Sequence, residues 1–135
     1  MATTEELAEL VAHTPTRADY EEIRNAVLDY YEGWFGGDAG RMERALHPDL
    51  AKRALRRDAA RGEVLTTTTA ARMIALTAAG AGARAASDRR IEIRIDDVHG
   101  AIASVTARSA VYVDYLHLAR TRAGWRIVNA LWNWT

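Results

Sequence analysis

The chain has 135 residues, a length that suits one domain with a well-buried core and leaves no room for a separate substrate-binding lobe. We therefore expect a single domain over residues 1–135. Its 18 basic and 18 acidic residues balance, so no net positive field attracts nucleic acid or an anionic membrane. The absence of cysteine excludes disulfides, thiolate nucleophiles and Cys-ligated zinc.

The chain carries no signal for a membrane. No apolar run approaches the roughly 20 residues of a membrane span, and the polar residues 2–6 lack the basic-then-apolar order of a signal peptide. A sequence without cysteine also fits a reducing compartment. These features predict a cytoplasmic protein.

Helical patterns fill the first half of the chain. Ala2 to Val11 predicts a short helix, within a segment 1–17 that we expect to be peripheral. From Ala18 to Trp34, apolar residues recur every three or four positions, which is typical of an amphipathic helix. The predicted inward stripe of this helix comprises Tyr20, Ile23, Val27, Tyr30 and Trp34.

Shorter elements follow this helix. Asp38 can accept hydrogen bonds from the first amides of a third helix, which ends at His47-Pro48. The segment from Asp49 to Thr69 is charged and loosely periodic, and we predict mixed helix and loop there. Its last threonines can cap a helix that runs through Thr77 and turns Met73 inward.

The second half of the chain predicts strands. Isoleucines at 91, 93 and 95 alternate with charged residues, which indicates a half-buried strand. At least three long antiparallel strands follow, and the last two form a hairpin around residues 121–124. The expected fold is therefore α+β, with a curved sheet around the N-terminal helices and a small-molecule pocket inside.

Asp114 is the first catalytic candidate. It shares a face of its strand with Tyr112, Leu116 and Leu118, and the leucines favour that face as the inner one. Burial raises the pKa of a carboxyl group and can make it a usable general base. The alternative is that Asp114 only accepts hydrogen bonds and fixes the strand crossing.

The parity of the last strand allows two interpretations. Arg126 marks its own face as the outer one, and strict alternation adds Trp132 and Trp134 to that face. Two exposed indoles would be costly, so this interpretation predicts a homodimer in which stacked sheets cover them. In the alternative, the strand bulges near Asn129 and turns one or both indoles into the core.

His47 is the second catalytic candidate. It lies at a predicted helix end, where the helix dipole favours a protonated imidazole, so helix capping is the alternative role. The four histidines are scattered and no dinucleotide-binding or phosphate-loop motif is present, so we predict neither a metal nor a cofactor. Aromatic and polar side chains that suit a flat organic ligand complete the predicted site, namely Tyr30, Trp34, Met73, Tyr112 and Asn129.

Several stretches carry a resemblance that covers nearly the whole chain from about Ala18. They are Tyr30-Tyr31-Glu32-Gly33-Trp34, Gly37-Asp38-Ala39, His47-Pro48-Asp49-Leu50, Asp114-Tyr115-Leu116-His117-Leu118 and Gly124-Trp125-Arg126-Ile127-Val128-Asn129. With the order of elements, they resemble the nuclear transport factor 2-like superfamily, in its putative lumazine-binding and polyketide cyclase-like branch. The resemblance implies a cone-shaped α+β barrel, in which a highly bent antiparallel sheet wraps around a long helix, and it implies frequent dimerisation.

The resemblance also implies a function. In enzymes of the superfamily, an acidic residue in the cone moves a proton while polar side chains orient the substrate, and Asp114 and Asn129 are the positions that could play those parts here. The expected function is that of a cofactor-independent isomerase, cyclase or lyase acting on an apolar carbonyl or aromatic compound. The alternatives are a non-catalytic binding protein for a flat aromatic metabolite and, third, a dimeric adaptor that contacts proteins through Trp132 and Trp134.

Overall fold

The computed structural model of the protein describes residues 3–85 and 87–135, with the side chains of residues 9–11 outside the description. The described helices are α1 (Thr4–Ala12), α2 (Arg17–Gly36), α3 (Ala39–Ala45) and α4 (Ala70–Ala78). The described strands are β1 (Leu46–Asp58), β2 (Gly62–Thr68), β3 (Ile91–His99), β4 (Ile102–Ser109), β5 (Tyr112–Thr121) and β6 (Gly124–Trp134).

The six strands form one sheet in the order β2-β1-β6-β5-β4-β3. Neighbouring strands are antiparallel except β1 and β6, which run parallel. Because β2 and β3 are the two edges, the sheet curves around the helices without closing. The predicted α+β class, with a curved sheet and N-terminal helices, is confirmed.

Helix α2 provides the centre of the core. It ends at Gly37, whose φ of 67° is the left-handed conformation that glycine adopts without a steric penalty. Ile23 and Val27 are fully buried, as the predicted stripe requires, whereas Tyr20 is 45% exposed and its predicted inward position is wrong. The helix turns Tyr31 and Phe35 inward as well.

The burial of Asp19 explains why Tyr20 lies on the exposed side of α2. Its buried carboxylate accepts hydrogen bonds from the Thr16 backbone N–H (2.7 Å) and Trp125 Nε1 (3.0 Å), and it lies 2.7 Å from His13 Nε2 and 3.4 Å from Arg120 Nε. Burial raises the pKa of Asp19, but the hydrogen bonds from Trp125, His13 and Thr16 lower it further, to well below its usual range. The ionised carboxylate therefore stabilises the fold above about pH 4, and this contribution is lost as the pH falls through the lowered pKa.

The segment from Asp49 to Thr69 is the largest correction to the predicted elements. It forms the hairpin of β1 and β2, so the prediction of mixed helix and loop is wrong. Charged side chains occupy both faces of β1, with Lys52 and Arg56 on the concave side and Arg53 and Arg57 on the other, which hides the strand alternation. The helix predicted after it is confirmed as α4, with Thr69 as its N-cap.

The last strand carries a β-bulge. His117 pairs with Asn129 and Leu118 pairs with Ile127, so Val128 is an extra residue and the side-chain alternation reverses there. Ile127 and Ala130 are therefore both buried. Trp132 and Trp134 lie on the concave side with Ala130, which corrects their predicted outer facing and confirms the bulge alternative.

The N-terminal segment forms the predicted short helix over its described residues. Helix α1 begins at Thr4, and Leu7 on it is 51% exposed. The predicted start at Ala2 lies outside the described residues. Among the described helices, none combines the length and the apolar character needed to cross a membrane.

Replacing Trp125 tests the importance of the Asp19 cluster. In Trp125→Phe, the buried carboxylate loses its indole donor, and we expect the free energy of unfolding to fall by about 1–3 kcal/mol. Urea denaturation measures this change. Trp134→Phe is the matched control, because that indole is 55% exposed and donates none of the side-chain hydrogen bonds in the described structure; equal losses in the two variants would contradict the role of Asp19.

Candidate functional site

A cavity of about 210 Å³ lies between helices α2 and α4 and the concave side of the sheet. Most of its wall is aromatic, contributed by Tyr30, Tyr31, Trp34, Tyr112, Trp132 and Trp134. Thr68, Met73 and Leu76 line it from β2 and α4. Two ionisable side chains, Lys52 and Asp114, complete the wall, so the cavity combines apolar surface with a few polar groups.

Asp114 lies in the wall of this cavity and is 2% exposed, as its predicted inner facing requires. Its Oδ2 accepts a hydrogen bond from the Tyr31 hydroxyl, whereas its Oδ1 has no hydrogen-bond partner in the described part of the chain. Burial raises the pKa of Asp114, opposed by the charge of Lys52 and by the Tyr31 hydrogen bond. The contact with Tyr31 is the type that the structural alternative predicted, and it engages one of the two carboxyl oxygens.

Lys52 was missed by the sequence reasoning. It comes from the concave side of β1, is 9% exposed, and its Nζ donates a hydrogen bond to the Tyr30 hydroxyl. The Nζ lies 5.0 Å from the ring centroid of Tyr30 and 5.1 Å from that of Trp132. Burial lowers the pKa of Lys52, opposed by the charge of Asp114. The feature of the sequence that could have identified this residue is that Lys52 is the one lysine in the chain.

The two tyrosines beside these groups remain protonated. Burial raises the pKa of both Tyr30 and Tyr31, and the negative charge of Asp114 raises it further. Their hydroxyls are therefore hydrogen-bond donors over the physiological range. The Tyr31 hydrogen is already donated to Asp114, so a polar ligand atom in the cavity would meet the Tyr30 hydroxyl as the donor of fixed position.

The mouth of the cavity is built from aromatic rings in edge-to-face and tilted contact. Trp34 Nε1 donates a hydrogen bond to the Tyr112 hydroxyl (3.1 Å), and the Tyr112 ring centroid lies 5.6 Å from Trp132 and 5.3 Å from Trp134. The Arg56 guanidinium covers the Trp132 ring at 4.5 Å. Such an arrangement presents flat faces to a ligand and a cation at its rim.

The structure brings five of the seven predicted site residues together in the cavity wall. They are Tyr30, Trp34, Met73, Tyr112 and Asp114. Their convergence follows from helix α2 lying across the concave faces of β5 and β6.

His47 and Asn129 are placed elsewhere, and neither lines the cavity. His47 lies near the start of β1, where its Nδ1 accepts a hydrogen bond from the Asp49 backbone N–H (3.0 Å). Asn129 points to the convex side because of the bulge at Val128, and its side chain contacts His117 and Arg53. The predicted positions of both in the site are corrected.

Metal ligands are not grouped in the described part of the protein. The His, Asp and Glu side chains there form no cluster of three or more that could hold a metal ion.

Comparison with known proteins gives the family. The model of the putative lumazine-binding family matches residues 18–133, which is most of the chain. The protein belongs to this family. A search of curated protein sequences gives no significant match.

Solved structures agree on the fold of this lumazine-binding family member. An NTF2-like protein of unknown function from Silicibacter pomeroyi is 18% identical, with 90% of this chain and 100% of that chain covered and a TM-score of 0.69. An NTF2-like protein of unknown function from Shewanella baltica is 16% identical, with 91% and 98% covered and a TM-score of 0.67. A putative aromatic ring hydroxylase from Novosphingobium aromaticivorans is 12% identical, with 90% and 92% covered and a TM-score of 0.61. The chain has the nuclear transport factor 2-like fold.

Gly82 tests the packing behind the cavity wall. A Cβ added there would stand 2.2 Å from the backbone oxygen of Trp34 and 2.6 Å from its ring atoms, so Gly82→Ala must move Trp34, whose indole holds Tyr112, or the Gly82 segment itself. We expect a loss of about 1–3 kcal/mol in the free energy of unfolding and a shift in tryptophan fluorescence. The control is Gly36→Ala, because an added Cβ meets no atom within 4 Å there. If both variants unfold like the parent, Gly82 does not support the wall.

Proposed function

We propose that the protein binds a small, flat, largely apolar compound in the cavity and transfers a proton on it, with Asp114 as general acid and base. The reaction class is that of an isomerase, cyclase or lyase that uses the chain's own side chains. The observation that carries the proposal is the Asp114 Oδ1 atom, buried in an aromatic cavity without a hydrogen-bond partner in the described structure. A buried, unpaired carboxylate oxygen costs stability, which a role in chemistry would explain.

The surroundings of Asp114 support proton transfer. Burial raises the pKa of its carboxyl group, which brings that pKa closer to neutral pH and makes the group a better match for acid and base work. Tyr31 holds the other oxygen, so the orientation of the carboxyl group is set before a ligand arrives. The Tyr30 hydroxyl and Lys52 could donate to an oxygen that becomes negative as the proton leaves carbon.

The family description supports the ligand class. It names lumazine, a flat heteroaromatic compound. Rings of this shape match the aromatic wall of the cavity, which includes Trp34, Tyr112 and Trp132. The cavity volume of about 210 Å³ suits a compound of one or two rings. Arg56 at the mouth would favour a ligand with a negative group at its outer end.

Asp114→Asn tests this function. The protein is incubated with a small-molecule extract of its source cells, and mass spectrometry follows compounds consumed in large molar excess over protein. We expect Asp114→Asn to lower turnover at least about 100-fold, because general acid–base catalysis contributes about 10²–10⁴. The parent's rate should increase as the pH rises through the raised pKa of Asp114, since the base must be ionised to accept a proton.

The matched control is Asp49→Asn, whose carboxylate is 92% exposed and outside the cavity. It should leave turnover unchanged. Circular dichroism must show that Asp114→Asn keeps its fold. Equal turnover in Asp114→Asn and the parent would remove Asp114 from the mechanism.

A binding protein without catalysis is the second candidate function. The contacts of Tyr112 with Trp132 and Trp134 support it, because these rings, edge-to-face and tilted, line the cavity without any reactive group. The same incubation separates the two candidates. A compound retained in proportion to protein, unchanged in mass and indifferent to Asp114→Asn, would favour binding alone.

We also propose that the protein works as a cytoplasmic homodimer through the convex side of the sheet. Leu55 pairs with Leu65 across β1 and β2, and Tyr115 pairs with Leu131 across β5 and β6. All four side chains are about half exposed, and Leu55, Tyr115 and Leu131 line one common depression. A second copy of the chain, which carries the same apolar surface, is the occupant that a two-fold interface requires.

Leu131→Lys tests this assembly. A lysine at the centre of the apolar surface should convert the dimer to a monomer, as measured by size-exclusion chromatography with light scattering. Leu7→Lys is the control, because Leu7 is equally exposed but lies on α1. A parent protein that already elutes as a monomer would overturn the proposed dimer.

A further inference from the structure

The one lysine of the chain lies in the cavity wall. Lys and Arg together number 18, and every basic residue other than Lys52 is an arginine. Arginine cannot lose its proton in a protein, whereas a buried lysine can become a neutral amine. The side chain able to act as an amine nucleophile is therefore buried in the same cavity wall as Asp114, the one carboxylate among the described lining residues.

We propose that Lys52 is a covalent binding site for aldehydes and ketones, which its Nζ captures as an imine. This inference deepens the proposed function and rests on it, because it names carbonyl compounds as the substrate class of the same cavity. Cysteine is absent from the sequence, so no thiol competes for such an electrophile.

The position of the Nζ atom supports nucleophilic attack. Burial lowers the pKa of Lys52, so a larger share of the amine is neutral than in an exposed lysine. The amine is held by the Tyr30 hydroxyl and faces the cavity. The carbonyl carbon of a ligand stacked on Trp132 would lie within reach, because that ring centroid is 5.1 Å from the Nζ.

The products are stabilised by the same neighbours. An imine that takes up a proton becomes a cationic iminium, and the Trp132 ring lies near this position, with its centroid 5.1 Å from the Nζ. Asp114, once ionised, is a negative group in the same wall. The neighbours that favour a positive charge at the Nζ are therefore already in place when the charged adduct forms.

The step balances without an oxidant or a reductant. The Nζ lone pair forms a bond to the carbonyl carbon, the C=O π electrons move to oxygen, and a proton passes from nitrogen to that oxygen. Protonated Asp114 then gives its proton to the hydroxyl, which leaves as water while the nitrogen lone pair forms the iminium. The resulting Asp114 carboxylate can accept a proton from the neighbouring carbon, which leaves an enamine on Lys52.

Reductive trapping tests the proposal. The intact protein is incubated with benzaldehyde and sodium cyanoborohydride at neutral pH, and the product is followed by mass spectrometry and peptide mapping. We expect one adduct on Lys52 with the mass of benzaldehyde less one oxygen atom. Peptide mapping separates it from any adduct on the α-amino group.

Two variants make the result decisive. Arg53→Lys places a second lysine on the exposed side of the same strand, and we expect Lys52 to be labelled at least about tenfold faster than this exposed amine, which stays protonated at neutral pH. Lys52→Met fills a similar volume without an amine, so it should keep the fold and lose the adduct. Labelling of the exposed lysine at an equal or higher rate, or no Lys52 adduct, would overturn the proposal.

This readout is independent of turnover. If turnover requires Asp114 but no Lys52 adduct forms, the proposed function stands and the imine is excluded. If the adduct forms but the Asp114→Asn variant has the same turnover as the parent, the imine stands and Asp114 is excluded as the acid and base.

Discussion

The extra residue in β6 reverses the direction of every side chain that follows it in the strand. Before Val128, the strand alternates with Trp125 and Ile127 inward, and after it with Ala130 and Trp132 inward. The first pair builds the core around α2, and the second half lines the cavity. Without the bulge, Trp132 and Trp134 would face outward and the cavity would lose one of its aromatic walls. Core and site therefore share one strand because of a single change of register.

The two ends of the concave side of the sheet differ in how their buried polar groups are accommodated. One end buries apolar side chains and satisfies its polar groups, as the Asp19 cluster does with four partners. The other end buries Lys52 and Asp114 in aromatic surroundings, where burial pushes both towards their neutral forms. Such a pair contributes little to stability. Groups of this kind concentrate at functional sites, because a reactive amine or carboxyl needs a pKa that water would not give it.

Family membership and fold identify a pocket, while the chemistry depends on a few side chains in it. The related structures share the nuclear transport factor 2-like fold at identities below 20%, a range in which function does not follow from fold. The distinguishing features of this chain are therefore the buried carboxylate, the single lysine and the aromatic wall. The proposed proton transfer and amine chemistry, and the alternative of binding alone, all depend on these groups.

The sequence by itself determined the local features whose periodicity is regular. The stripe of α2, the cap of α4 at Thr69 and the inward facing of Asp114 on β5 were all predictable, because side chains near in sequence report the faces of helices and strands. Hairpin β1–β2 was not, because Lys52 and Arg56 place charges on its inner face and mask the alternation. Three features depend on pairing between strands distant in sequence. They are the bulge at Val128, the position of Asn129 and His47 outside the cavity wall, and the placement of Lys52 and Asp114 in the same wall. Only the tertiary structure decides these, since register is set by the packing of the whole sheet against α2.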